Sequence, residues 1–176
     1  MVAATLSLIV LAGVLSAFVM IGRSGYLASA YSELENETRR GLQVFGDDAR
    51  KAADIRWHSA QHITLYLPSS TNATIPVNYA YDGDRTSRTF GCFYRQLGER
   101  GSEQPRLVLI RQVASDFTFQ RFKLEVASGE NTAASDLETK QLQVTLRATR
   151  AGATTVAANQ SALSARYILR NKRVSN

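Results

Sequence analysis

With one cysteine, three prolines and two histidines in 176 residues, the chain excludes several chemistries before any pattern is sought. Cys92 has no second thiol to meet, so neither an intramolecular disulfide nor a thiolate metal cluster can form within one chain. A lone thiol is safest when buried, and Thr89-Phe90-Gly91-Cys92-Phe93-Tyr94 reads as a strand that would bury it. No Gly-x-Ser-x-Gly elbow and no glycine-rich phosphate loop occurs, so an enzyme reading has no constellation to stand on, and no catalytic residue or cofactor is expected. His58 and His62 stand at i, i+4, a spacing used by helical zinc sites. No Glu follows His58 and no third ligand is near, so no metal is expected either. Asp82-Gly83-Asp84 resembles the opening of a calcium loop but lacks the later ligands and is read as a turn. Two further absences matter most. No proline precedes Pro68, and no charged side chain occurs from Val2 to Gly22.

Those two absences leave room for one long helix, and the rest of the chain is organised around it. Residues 1–22 form an apolar run roughly 30 Å long as a helix, enough to cross the core of a bilayer. The positions expected to face lipid or neighbouring helices are Leu6, Ile9, Val10, Gly13, Val14, Ala17, Phe18 and Ile21. Small residues (Ala3, Ala4, Gly13, Ser16, Ala17) would let another helix approach closely. From Arg23 the composition turns amphipathic. Leu27, Tyr31, Leu34, Thr38, Leu42, Phe45, Ala49 and Ala52 recur at spacings of three and four, one face of a helix over residues 23–56. Of these, Leu34, Leu42 and Phe45 are the residues expected to pack on a sheet. Glu35 to Arg39 and Asp47 to Lys51 read as i, i+4 ion pairs on the solvated side. Gly13, Gly22 and Gly25 mark where the rod, on the order of 80 Å long, would loosen most easily.

Residues 57–176 change period. Short alternating runs at 62–67, 74–81, 88–97, 106–113, 117–126, 142–149 and 164–172 read as strands, with Asp82-Gly83 as a hairpin turn. Residues 98–105, 127–136 and 150–160 read as polar or small-residue connections. One long helix followed by six or so strands gives an α+β fold, a helix packed on one antiparallel sheet. Net charge is +6, which alone would admit a nucleic-acid or anionic-membrane partner. The arginines are dispersed among acids with no basic face, so no nucleic-acid partner and no small-molecule substrate is expected. Three Asn-x-Ser/Thr triplets, at Asn36, Asn72 and Asn159, fit the glycosylation pattern, a short one that arises often by chance.

The run MVAATLSLIVLAGVLSAF, with the charged helix after it, resembles the N-terminal helix of type IV pilins and type II secretion pseudopilins. The closing Ser164-Ala165-Arg166-Tyr167-Ile168-Leu169-Arg170-Asn171 is similar to the last strand of minor pseudopilins of the J type. The resemblance implies a pilin-like fold and a structural or initiating subunit in the bacterial inner membrane, with its globular part in the periplasm and other pilin-like subunits as partners. It covers the first third well, and the rest in layout and closing motif. The family's Gly-Phe-Thr-Leu-x-Glu signature does not occur in the sequence. Met1 resembles a position just after that Glu, and the expectation is that leader, processing site and Glu lie upstream; the alternative is that the protein lacks them. Two other readings stay open: a membrane-tethered periplasmic module that never polymerises, and a secreted β-rich domain cleaved after Ala30.

Overall fold

In the computed structural model, residues 2–70, 73–124, 131–149 and 160–173 are described. The side chains of Ala3, Ala4, Leu6, Ile9 and Leu27 lie outside that description, as do Asn72, Asn159 and residues 127–130 and 150–159 of the expected connections. Helix α1 runs unbroken from Val2 to Lys51, about 75 Å at 1.5 Å per residue. Eight strands follow: β1 (Asp54–Ser59), β2 (His62–Pro68), β3 (Thr74–Tyr81), β4 (Phe93–Leu97), β5 (Arg106–Ile110), β6 (Thr118–Phe122), β7 (Gln141–Thr149) and β8 (Gln160–Ile168). The fold is α+β, with every ladder antiparallel.

The expected single sheet is two. Strands β1 to β5 form one in sequence order, and β6 to β8 form the other. Helix α1 packs against both, and its narrow points let it come close to each. Gly41 faces Ile110 and the Leu109 carbonyl of β5, and Gly46 faces the Tyr167 ring of β8. Phe45, between these glycines, is fully buried. Its ring meets Tyr79 and Phe93 of the first sheet at centroid distances of 5.0 and 6.0 Å. It meets Phe119 and Tyr167 of the second at 5.6 and 5.5 Å. The alternation of β7 sends Leu142, Val144, Leu146 and Ala148 into the same core.

Several boundaries differ from the sequence reading, each for a local reason. The helix stops at Lys51 rather than near residue 56. The Ala53 amide donates to the Tyr66 carbonyl at 2.8 Å, and Ile55 and Trp57 then alternate inward as β1. The return strand begins at Phe93 rather than Arg88. Residues 87–92 are bent into turns, with Phe90 donating to the Ser87 carbonyl and Gly91 at φ 69°. Asp82-Gly83 therefore opens a long loop instead of a tight hairpin. The strand expected at 106–113 ends at Ile110, with a single bridge from Val113 to Ala148. The one expected at 117–126 spans Thr118–Phe122, and the last strand is displaced toward Gln160. Asp47 pairs with Arg50 at 3.1 Å, not with Lys51. His58 and His62 face one another across the β1–β2 turn, off the helix.

Candidate functional surface

The two halves of α1 are in opposite environments. From Leu34 onward one face is core: Leu34, Thr38, Leu42, Phe45, Ala49 and Ala52 are buried. The domain also closes on the end of the helix. The Tyr167 hydroxyl donates to the Leu42 carbonyl at 3.1 Å, and the Arg170 amide to the Arg50 carbonyl at 3.3 Å. The Asn171 side-chain amide donates to the Lys51 carbonyl at 2.9 Å, satisfying one of the carbonyls a helix end leaves open. The buried Lys172 ammonium reaches Asp54 at 2.8 Å.

Before Leu34 every described side chain of the helix is exposed. Val10, Val14, Phe18 and Ile21 are 65%, 47%, 69% and 67% exposed, and Gly13 and Ala17 lie on the same open surface. Leu11, Leu15, Val19 and Met20 are exposed too. Covering these eight large side chains would be worth roughly 10 kcal/mol, at about 1.5–3 kcal/mol for each side chain taken from full exposure to full burial. That is comparable to the whole stability of a small domain, and apolar surface of this extent is the kind that interaction sites present. By length and composition it can cross a membrane: its most apolar window has a mean hydropathy of 1.6 and none of it is buried in the domain. The helix is also continuous through Ala28-Ser29-Ala30.

No family model matches the chain, and no curated protein or solved structure is significantly similar to it. Its role has to be read from its own residues.

Three polar groupings take shape in the fold, of which only the pairing of His58 with His62 was visible in the sequence. Asp48 of α1 accepts from the Tyr79 hydroxyl at 2.6 Å and from Arg95 Nε at 2.9 Å, tying helix to sheet beside the aromatic core. Burial, and then the Asp48 charge, push the Tyr79 phenol far above its ordinary range. Asp82, itself buried, accepts from the hydroxyls of Ser87 and Thr89, both at 2.5 Å, and from Arg106 at 2.6 Å. Burial opposes its ionisation, but the hydroxyl donors, the Asp84 amide and the Arg106 charge hold it below the ordinary carboxylate value. His58 and His62 form the third grouping, with Thr64 and Asn78. Cys92 is buried one residue before β4, and burial pushes its thiol upward, which keeps it unreactive. Among the described residues no set of three or more His, Cys, Asp or Glu side chains could hold a metal ion.

Proposed function

We propose that the chain is a minor pilin or pseudopilin, a non-enzymatic structural or initiating subunit of a type IV pilus or type II secretion pseudopilus. In this reading it stands in the bacterial inner membrane with its β domain in the periplasm. The observation that carries it is the division of one continuous helix: apolar and bare over its first half, core to a β domain over its second. A surface made for hydrocarbon is buried equally well among other apolar helices, so the same residues serve in the membrane and in a filament. Gly13, Ser16 and Ala17 permit the close approach that such a bundle needs. The domain meanwhile grips the far end of the rod through Phe45, Tyr167 and Asn171, so a displacement of the helix carries the domain with it. Partners are other pilin-like subunits, met through the bare helix.

Fractionation of cells that build such filaments tests the proposal. The wild-type protein is expected in membranes and, in small amounts, in filaments sheared from the surface or pelleted from the periplasm. Val14→Asp places a charge in the apolar segment, at about 3 kcal/mol near a bilayer centre, and is expected to reduce both pools. A wild-type protein confined to membranes would favour a tethered module, and a soluble one starting at Tyr31 would favour export.

A further inference from the structure

The face of the five-stranded sheet turned away from α1 carries a polar ladder that the helix surface does not use. The β1–β2 turn brings the rings of His58 and His62 to a centroid separation of 4.8 Å. Their Nε2 atoms lie 2.8 Å from Thr64 Oγ1 and 3.2 Å from Asn78 Oδ1. The Thr64 hydroxyl donates to that same Asn78 oxygen at 2.6 Å, and the Asn78 amide nitrogen donates to the Gly98 carbonyl at 2.9 Å. Residues 98–104 roof this face, held also by Gln96, whose amide donates to the Ser102 and Gln104 carbonyls.

These partners fix the tautomers. The Gly98 contact sets the orientation of the Asn78 amide, whose oxygen can only accept. A hydroxyl already donating to that oxygen must receive from His58. Both rings therefore carry their proton on Nε2 when neutral, and Nδ1 is the basic atom of each. Neither Nδ1 has a hydrogen-bond partner among the described residues, and neither is sealed from solvent. Arg56 and Arg100 act on His58, and Arg100 and Arg106 on His62, with the carboxylates of Glu99 and Asp136 on the His58 side. Most of these charges are already engaged. Asp136 takes Arg121 at 2.8 Å, Arg106 is bound to Asp82, and Glu99 accepts from Tyr66 at 2.8 Å and lies 4.0 Å from Arg56. Arg100 has no ion-pair partner among the described residues.

We propose that His58, His62 and Arg100 form a binding site for a small free oxyanion, phosphate or sulfate, that fills as the two rings take up protons. Two imidazolium rings in contact repel each other and the nearby guanidinium, and an anion set between them turns that repulsion into attraction. The two rings are only partly exposed. Proton uptake and anion binding are then linked, each strengthening the other by the same factor. Near neutral pH the rings are uncharged and the attraction is small; in acid it is largest.

Imidazole NMR of the full chain in detergent micelles tests this. The rings are titrated once in sodium chloride and once in inorganic phosphate at equal ionic strength. The expected result is that phosphate raises the midpoints of both rings together, by about one pH unit where the charged form binds about tenfold tighter. His62→Gln, which keeps a donor toward Asn78, is expected to remove the phosphate dependence of His58. Equal midpoints in the two salts would overturn the proposal, and that comparison needs only the wild-type chain.

Discussion

Two missing side chains let α1 sit close against both sheets. A Cβ on Gly41 would come within 2.5 Å of Ile110 Cγ1 and 3.0 Å of the Leu109 carbonyl, and the latter is backbone that cannot rotate away. A Cβ on Gly46 would strike the Tyr167 ring, which is pinned by its hydroxyl bond to Leu42 and by its edge contact with Phe45. Alanine gains about 1 kcal/mol in helix propensity, but overpacking costs about 1–3 kcal/mol. Gly41→Ala and Gly46→Ala are thus expected to lower the urea midpoint, whereas Gly25→Ala, with nothing within 4 Å, leaves domain stability unchanged. Charge placement gives a pH dependence of definite sign. Burial, and after it mainly Arg100 for His58, hold both imidazoles below their ordinary 6.5, despite the Asn78 bond that favours the charged form of His62. The unfolded chain binds those protons more readily, so stability is level above about pH 6.5 and falls as the pH drops from there toward the folded-state values. Asp82 adds a second loss at lower pH, because its depressed carboxylate contributes stability above 3.8 that disappears as the pH falls through its folded value. Urea midpoints measured against pH in chloride should show both steps, and a double His58→Gln, His62→Gln variant should lack the first.

Among the elements, α1 depends on Phe45 and on the wrap at its C-terminus. Phe45→Ala removes the ring shared by both sheets and is expected to cost about 3–5 kcal/mol, a large fraction of a small domain's stability, read as a lowered urea midpoint. Asn171→Ala removes one hydrogen bond to an open helix carbonyl and should cost about 1 kcal/mol in the same assay. The buried stripe around Leu34, Leu42 and Phe45 was legible because a period near 3.6 survives any tertiary arrangement. The alternation of β7 was legible for the matching reason at period two. Strand β1 was not: Asp54-Ile55-Arg56-Trp57-His58-Ser59 offers only two large apolar residues, and its pairing with β2 is what decides its state. The loop at 82–92 was hidden too, since Thr89 to Tyr94 is rich in strand-forming residues, whereas the Asp82 carboxylate gathers the Asp84 amide and the Ser87 and Thr89 hydroxyls into turns. Nor could Gly41 and Gly46 be singled out, because a helical glycine looks like a cost until the neighbouring Ile110 and Tyr167 are in place. That the strands split into two sheets depends on contacts far apart in sequence, as between Val113 and Ala148.

The whole molecule is a rod with a domain clasped on one end, and the account stands on what covers the other end. Since Cys92 is the sole cysteine and is buried, a Cys92→Ser chain carrying one new cysteine on the bare helix reports only that position. The most direct measurement is oxidative cross-linking of such chains, with cysteine placed in turn at Val10, Val14, Ala17, Phe18 and Ile21, in cells actively assembling filaments. A subunit that packs helix against helix is predicted to give disulfide-linked adducts at a subset of these positions spaced three or four apart, in both membrane and filament fractions. Uncross-linked protein at all five positions, retained in the membrane, would contradict assembly through this helix.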